Sequence, residues 1–274
     1  MIKVIDVDTL FDSYISDFVY KNIGKVKPEE IENKIPELYV QFGNEKLKEL
    51  DGQTPNEYYK SFSATELLAC LNEHLTKGVA VSDFLCEALS DGANEDALIN
   101  AISDDVDEEF TLYVMNMLSE IKSEKCLDRY LQFISWDYSE TIKELATEHL
   151  KEFSNLVKEK VLSLYNEADV KTREYFTEIL AGCNKDDRVF DILVAEFAKH
   201  PNEIPLYAGY LAKYGDERAL PFLMAEIERE KISYADFEEL RFAIEALGGT
   251  YDKVRDFKQD KTFKKIKGEK NYKH

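Results

Sequence analysis

The stretch Tyr210–Leu223, YLAKYGDERALPFL, constrains the fold of this chain more than any other. An apolar-periodic segment ends in Tyr-Gly-Asp, and a second apolar run begins at once behind an acid. Glycine supplies the left-handed conformation that closes a helix, and an acid suits the positive end of the helix that follows. The junction recurs along most of the sequence, so the chain is expected to be all-α and built from stacked helical hairpins.

From Asn94 onward the hairpins fall into register. Their second helices are predicted to end near Leu118, Leu150, Leu180, Leu211 and Leu247, separated by 32, 30, 31 and 36 residues. Two helices of about 12 residues and two short turns need roughly that length. Recurrence on this scale marks an α-solenoid, an α-α superhelix of about five hairpins over residues 93–250. Gly182, Gly215 and Gly248 follow the anchor leucines and are read as left-handed helix ends. Asp186, Asp216 and Asp252 are read as the starts of the next helices, and Pro221 sits just inside its helix.

Residues 1–92 read as a helical region without a repeat. Leu10, Phe11, Tyr14, Ile15 and Phe18 form one apolar stripe, and a helix opened by Pro28 carries another through Ile31, Ile35, Leu38, Tyr39 and Phe42. Asp51–Pro55 is a turn, Ser63 and Glu66 form a capping box, and Gly78 breaks the chain before Val81–Leu89. With 11 Gly and 6 Pro among 274 residues, the composition suits long helices with short connections.

The net charge of −20 is unevenly spread. Lys253–His274 holds nine Lys/Arg and three Asp/Glu, which makes residues 251–274 a basic cap or tail on a strongly acidic body. Such a body repels phosphate backbones, so nucleic acid is an unlikely partner, while a basic protein or peptide is a suitable one. Phe257, Phe263, Ile266 and Tyr272 suggest that part of the tail packs as a terminal capping helix. The N-terminus lacks the basic start and unbroken apolar run of a signal peptide. No apolar stretch reaches the length of about 18 residues that a membrane span requires. Cys70, Cys86, Cys126 and Cys183 lie far apart with no C-x-x-C pair, which favours free thiols and a cytoplasmic location.

Catalytic signatures are absent: the phosphate-binding glycine loops, G-x-S-x-G and H-E-x-x-H are all missing. His74 and His149 each follow a glutamate directly, a spacing that places the pair on different helix faces. The acidic run Asp104–Glu109 lacks the glycine of a calcium loop and is read as helix capping, with Asp105 and Glu108 as a box. No catalytic residue, metal ligand or cofactor is assigned. Cys183, at a turn, is the one thiol expected to be exposed.

Aligned on the anchor leucines, Glu144, Glu174 and Arg241 share one position, and Glu148, Glu178 and Glu245 another four residues on. Neighbouring helices in a stack lie about 8–10 Å apart, so these side chains should form a ladder that attracts cations. Tyr207 and Tyr210, with Tyr175 and Phe242, lie near it as candidate peptide anchors. Trp136, the one tryptophan, sits in a turn and is a candidate hot spot.

GDERALPFLMAEIERE and FEELRFAIEALGG resemble HEAT repeats of the short kind found in phycobilisome-lyase-like and other bacterial HEAT proteins. The likeness covers residues 187–250 well, extends to 94–186, and stops before residue 93. It implies a right-handed superhelix whose second helices line the concave side, but no reaction, because HEAT arrays serve as scaffolds, adaptors, chromophore lyases and DNA-repair glycosylases. The expectation is a non-enzymatic scaffold or adaptor that binds protein or peptide along an acidic concave face. The alternative is a HEAT-type enzyme, lyase-like or glycosylase-like.

Overall fold

The computed structural model describes residues 2–23, 28–102 and 107–270, with the side chains of residues 28, 29 and 267–270 excepted. Tyr272 and Asp104–Asp105, both singled out above, lie outside the described residues. The structure is all-α, with no strand among the described residues, and divides into two compact units, Met1–Cys126 and Leu127–His274.

In the first unit, α1 (Val7–Lys21), α2 (Pro28–Glu32), α3 (Ile35–Phe42), α4 (Pro55–Tyr58), α5 (Ala64–Lys77) and α6 (Asp83–Leu89) precede the pair α7 (Glu95–Ala101) and α8 (Glu108–Glu120). The core is mainly aliphatic, with an aromatic cluster where α1, α3 and α6 meet. The ring of Tyr39 stacks on Phe84 and meets Phe11 edge-on, and Phe11, Tyr14 and Phe84 all lie against Phe42. The Ser63 hydroxyl accepts from the Glu66 amide, and the Glu66 carboxylate accepts from the Ser63 amide, which is the expected capping box at the head of α5. Gly78 takes the left-handed conformation (φ 63°) that ends this helix. The cap of α8 is Asp107, whose carboxylate accepts from the amides of Glu109 and Phe110. A helix that starts at Glu108 takes its cap from the residue just before it, which Asp105 is not.

The second unit is a run of helix pairs: α9 (Leu127–Ser135) with α10 (Glu140–Glu152), α11 (Ser154–Tyr165) with α12 (Val170–Leu180), α13 (Asp187–Lys199) with α14 (Ile204–Tyr214), and α15 (Leu220–Ile227) with α16 (Tyr234–Ala246), closed by α17 (Lys261–Lys270). Each helix packs on its hairpin partner, α10 also packs on α12, and α14 on α16. The anchor leucine and the residues three and four before it are buried in all four second helices. They are Ala146, Thr147 and Leu150; Phe176, Thr177 and Leu180; Tyr207, Ala208 and Leu211; and Ala243, Ile244 and Leu247. That triplet faces the first helices and leaves the positions two and six before each anchor on the open side.

Side chains brace the hairpins, some within a pair and some to the next, at a nearly constant sequence offset. Lys151 reaches Glu178, 27 residues on. The Ser154 hydroxyl donates to the Gly182 carbonyl over 28, and Asp186 and Tyr214 exchange two bonds over 28. Arg188 meets Glu159 over 29, and Arg218 meets Asp187 over 31. In the first unit, Ser123 bonds Glu95 over 28 and Lys125 bonds Asp96 over 29.

The turns obey the sequence with two exceptions. Gly215 (φ 75°) and Gly248 (φ 82°) are left-handed, and the carboxylates of Asp186 and Asp216 accept the first amides of the segments behind them. Gly182 has no positive φ. It is small for a different reason, because a Cβ there would come within 3.2 Å of Ser154 Oγ. Asp252 starts no helix. The chain runs irregularly to Asp260, whose carboxylate caps α17 through the amides of Thr262 and Phe263. Phe257 and Phe263 pack on Tyr234, so the basic segment is fastened to α16.

Candidate binding face

The open side of the second helices carries the predicted ladder. Glu144 and Glu148 project from α10, and Glu174 and Glu178 from α12. They differ in what they touch. Lys151 Nζ lies 2.7 Å from Glu148 and 2.6 Å from Glu178, so one half-buried ammonium joins two carboxylates from adjacent pairs. Burial pulls the Lys151 ammonium down, but its bonds to Glu148 and Glu178 leave it raised overall. Glu140, at the head of α10, is held by Lys171 at 2.6 Å and accepts from the Tyr175 hydroxyl at 2.7 Å. Those two bonds lower its carboxyl below the usual range. Glu144 and Glu174 form no ion pair among the described residues.

Three tyrosines converge on these carboxylates. Burial raises the Tyr210 phenol, and Glu178, Glu174, Glu148 and Glu203 raise it further. Tyr207 is raised by burial and then by Glu174, Glu203 and Glu196, and Tyr175 by burial, its bond to Glu140, and the charges of Glu144 and Glu174. All three phenols remain neutral hydrogen-bond donors, surrounded by negative charge. Tyr210 is half-buried, and its ring meets Tyr207 edge-on. Tyr207 itself is 2% exposed and stacks flat on His200, 4.3 Å away, so it is a support beneath the face.

The ladder does not continue evenly. On α14 the two ladder positions are Pro205 and Gly209, both exposed and without charge. On α16 they are Arg241 and Glu245, which pair with each other at 3.4 Å, and Arg241 also approaches Glu238 at 3.7 Å. The net negative charge therefore lies on α10 and α12. Trp136 stands elsewhere, half exposed at the end of α9. It lines a groove of about 370 Å³ with Leu131, Gln132 and Leu164, under an ion pair between Asp128 and Lys160. That groove is formed by α9, α11 and the turn after α9, not by the second helices.

Cys183 is buried rather than exposed; its thiol donates to the Ser154 carbonyl, and burial pushes it up to about 11. Turn location misleads here, because Ser154 at the head of α11 closes over the turn. Burial also pushes Cys70 up to about 11 and Cys86 up to about 12, and thiols so poorly ionised are weak nucleophiles. His74 is fully buried with Nδ1 at 2.8 Å from the Ala80 carbonyl, and His149 lies edge-on to Tyr130. No group of three or more His, Cys, Asp or Glu among the described residues is placed to hold a metal ion, and none of their helices is long and apolar enough to cross a membrane.

Compared with known proteins, the chain matches no family model, and no curated protein matches it by sequence.

Proposed function

We propose that the chain is a HEAT-like adaptor that holds a basic segment of a partner protein against the open side of α10, α12 and α14. The observation that carries this reading is the half-buried pair Tyr175 and Tyr210 on the side of the second helices that carries Glu144, Glu148, Glu174 and Glu178, with Tyr175 bonded to Glu140 and Tyr210 backed by the buried ring of Tyr207. Rigid phenols beside acids suit lysine and arginine side chains, because the ring takes the aliphatic stem or the cation face and the acid takes the charge. Glu144 and Glu174, which form no ion pair among the described residues, are the natural first contacts. The recurring offset of 27 to 31 residues between interlocked side chains supports the HEAT-like assignment. The poorly ionised thiols of Cys70, Cys86 and Cys183, two of them buried and Cys86 half-buried, count against lyase-like chemistry.

The test is fluorescence anisotropy with a lysine- and arginine-rich synthetic peptide. Changing Glu144, Glu148, Glu174 and Glu178 together to Gln should weaken binding about tenfold and flatten its salt dependence. A control changing Asp12, Asp17, Glu45 and Glu49, four exposed acids of the first unit, to their amides removes the same charge. Equal loss in both variants would reduce the effect to overall charge and end the proposal.

A further inference from the structure

α17 is the basic element of an acidic chain. Its 10 residues hold five lysines and one acid, Glu269, against a net charge of −20 for the whole sequence. Lys261, Lys264 and Lys265 lie three and four residues apart, so they share one face of the helix. All three are exposed and form no ion pair among the described residues; the Lys264 ammonium donates to Gln259 at 3.2 Å. Phe263 points from the opposite side and packs on Tyr234. The helix is thus fastened by one side and presents a row of cations on the other.

The counter-charges stand on α10 and α12. Glu144 and Glu174, six before their anchors, are exposed and without an ion pair among the described residues. The cations of the same two helices are turned away or already held. Lys143 and Arg173, seven before the anchors, fall on the packed side of their helices. Lys171 is bound by Glu140, and Lys151 by Glu148 and Glu178. α10 packs on α12, and helices in such contact lie about 8–10 Å apart. A helix of 10 residues is about 15 Å long. It spans both and stops short of α14, where the exposed Lys213 would repel it.

We infer that the open side of α10 and α12 receives α17 of a second copy of this chain, its lysine row meeting Glu144 and Glu174 beside Tyr175. This rests on the basic-segment reading above and names the segment. The α17 of the same copy cannot take that place, since it packs on α16, and α13 and α14 stand between α16 and α12. Tail and face are different surfaces, so copies add head to tail unless a ring closes. The contact is small against the roughly 1,200 Å² of a stable complex, so assembly should be weak.

The experiment is sedimentation equilibrium of the intact chain from about 10 μM to about 1 mM. At about 0.1 M salt, screening over about 10 Å mutes the repulsion between two chains of charge −20 while contact pairs persist. The average mass should rise with concentration there and return to that of the monomer at about 1 M salt. Glu144→Gln/Glu174→Gln and Lys261→Gln/Lys264→Gln/Lys265→Gln should each weaken association at least about tenfold. Glutamine suits exposed helix positions, so both variants should fold. An equal mixture of the two should form a complex of one copy of each and nothing larger, because one intact tail meets one intact face. Asp12→Asn/Glu45→Gln, which removes two exposed acids of the first unit, should associate as the intact chain does. A chain that stays monomeric, association that survives either variant, equal loss in the control, or a mixture without the mixed complex overturns the second-copy inference. Binding of the basic peptide in the anisotropy test would then leave the basic-segment reading standing with a different partner, and its failure to bind would end both.

Discussion

Lys151→Met tests the packing between adjacent helix pairs most sharply. The ammonium sits between Glu148 and Glu178, at 2.7 and 2.6 Å, with the lysine side chain 19% exposed. The contact with Glu148 is largely solvated and contributes under about 1 kcal/mol. The contact with Glu178 is better shielded, and a hydrogen bond to a charged partner there contributes about 1.5–3 kcal/mol. Methionine keeps the apolar stem packed and removes only the charge. It leaves Glu148 and Glu178 facing each other without a cation, so the total cost should be about 2–3 kcal/mol at low ionic strength. At 1 M salt, where the screening length is about 3 Å, that cost should shrink. Urea unfolding at both salt concentrations measures it, and adding Glu178→Gln should restore part of the loss. A change below about 0.5 kcal/mol, or one independent of salt, would refute the claim that this lysine fastens α10 to α12. The uncompensated carboxylates should also tighten binding of a basic peptide.

Three further outcomes follow. Gly209→Ala should stabilise the chain by about 0.5–1 kcal/mol in urea unfolding, since the helix gains propensity and nothing lies within 4 Å of the new methyl. Cys70, Cys86 and Cys183, with thiols pushed up to about 11 or 12, should resist iodoacetamide at pH 8 in the folded chain and react at once in urea, as read by mass spectrometry. The Asp186 carboxyl is held well below its ordinary 3.8 chiefly by its bonds to Arg188. A depressed folded value means its contribution is present above 3.8 and is lost as pH falls toward the folded value. Asp186→Asn should therefore lower stability at pH 7 and show a shallower further loss below pH 4 than the parent chain, by urea unfolding across that range.

The period was legible because it is encoded locally. Gly215 and Gly248 announce left-handed helix ends, Asp186 and Asp216 announce caps, and the buried triplets repeat at fixed distances from the anchor leucines. The candidate face was legible only in part, because its electrostatics depend on contacts between pairs. Lys151 is visible in the sequence as a neighbour of Glu148, but its bond to Glu178 exists only once two hairpins are stacked. Cys183 and Gly182 depend on a contact within their own hairpin, where Ser154 at the head of α11 closes over the turn after α12. Tyr207 sits four before its anchor leucine, a core position of the repeat, and the His200 ring from the end of α13 stacks on it. The interruption at Pro205 and Gly209 was present in the alignment.

Amide chemical-shift mapping of the labelled chain with a lysine- and arginine-rich peptide tests the account most directly. It predicts that the perturbed amides cluster at Glu144, Glu174, Tyr175 and Tyr210, on the open side of the second helices. Shifts centred instead on the Trp136 groove or on the first unit, or spread evenly over the acidic surface, would contradict it.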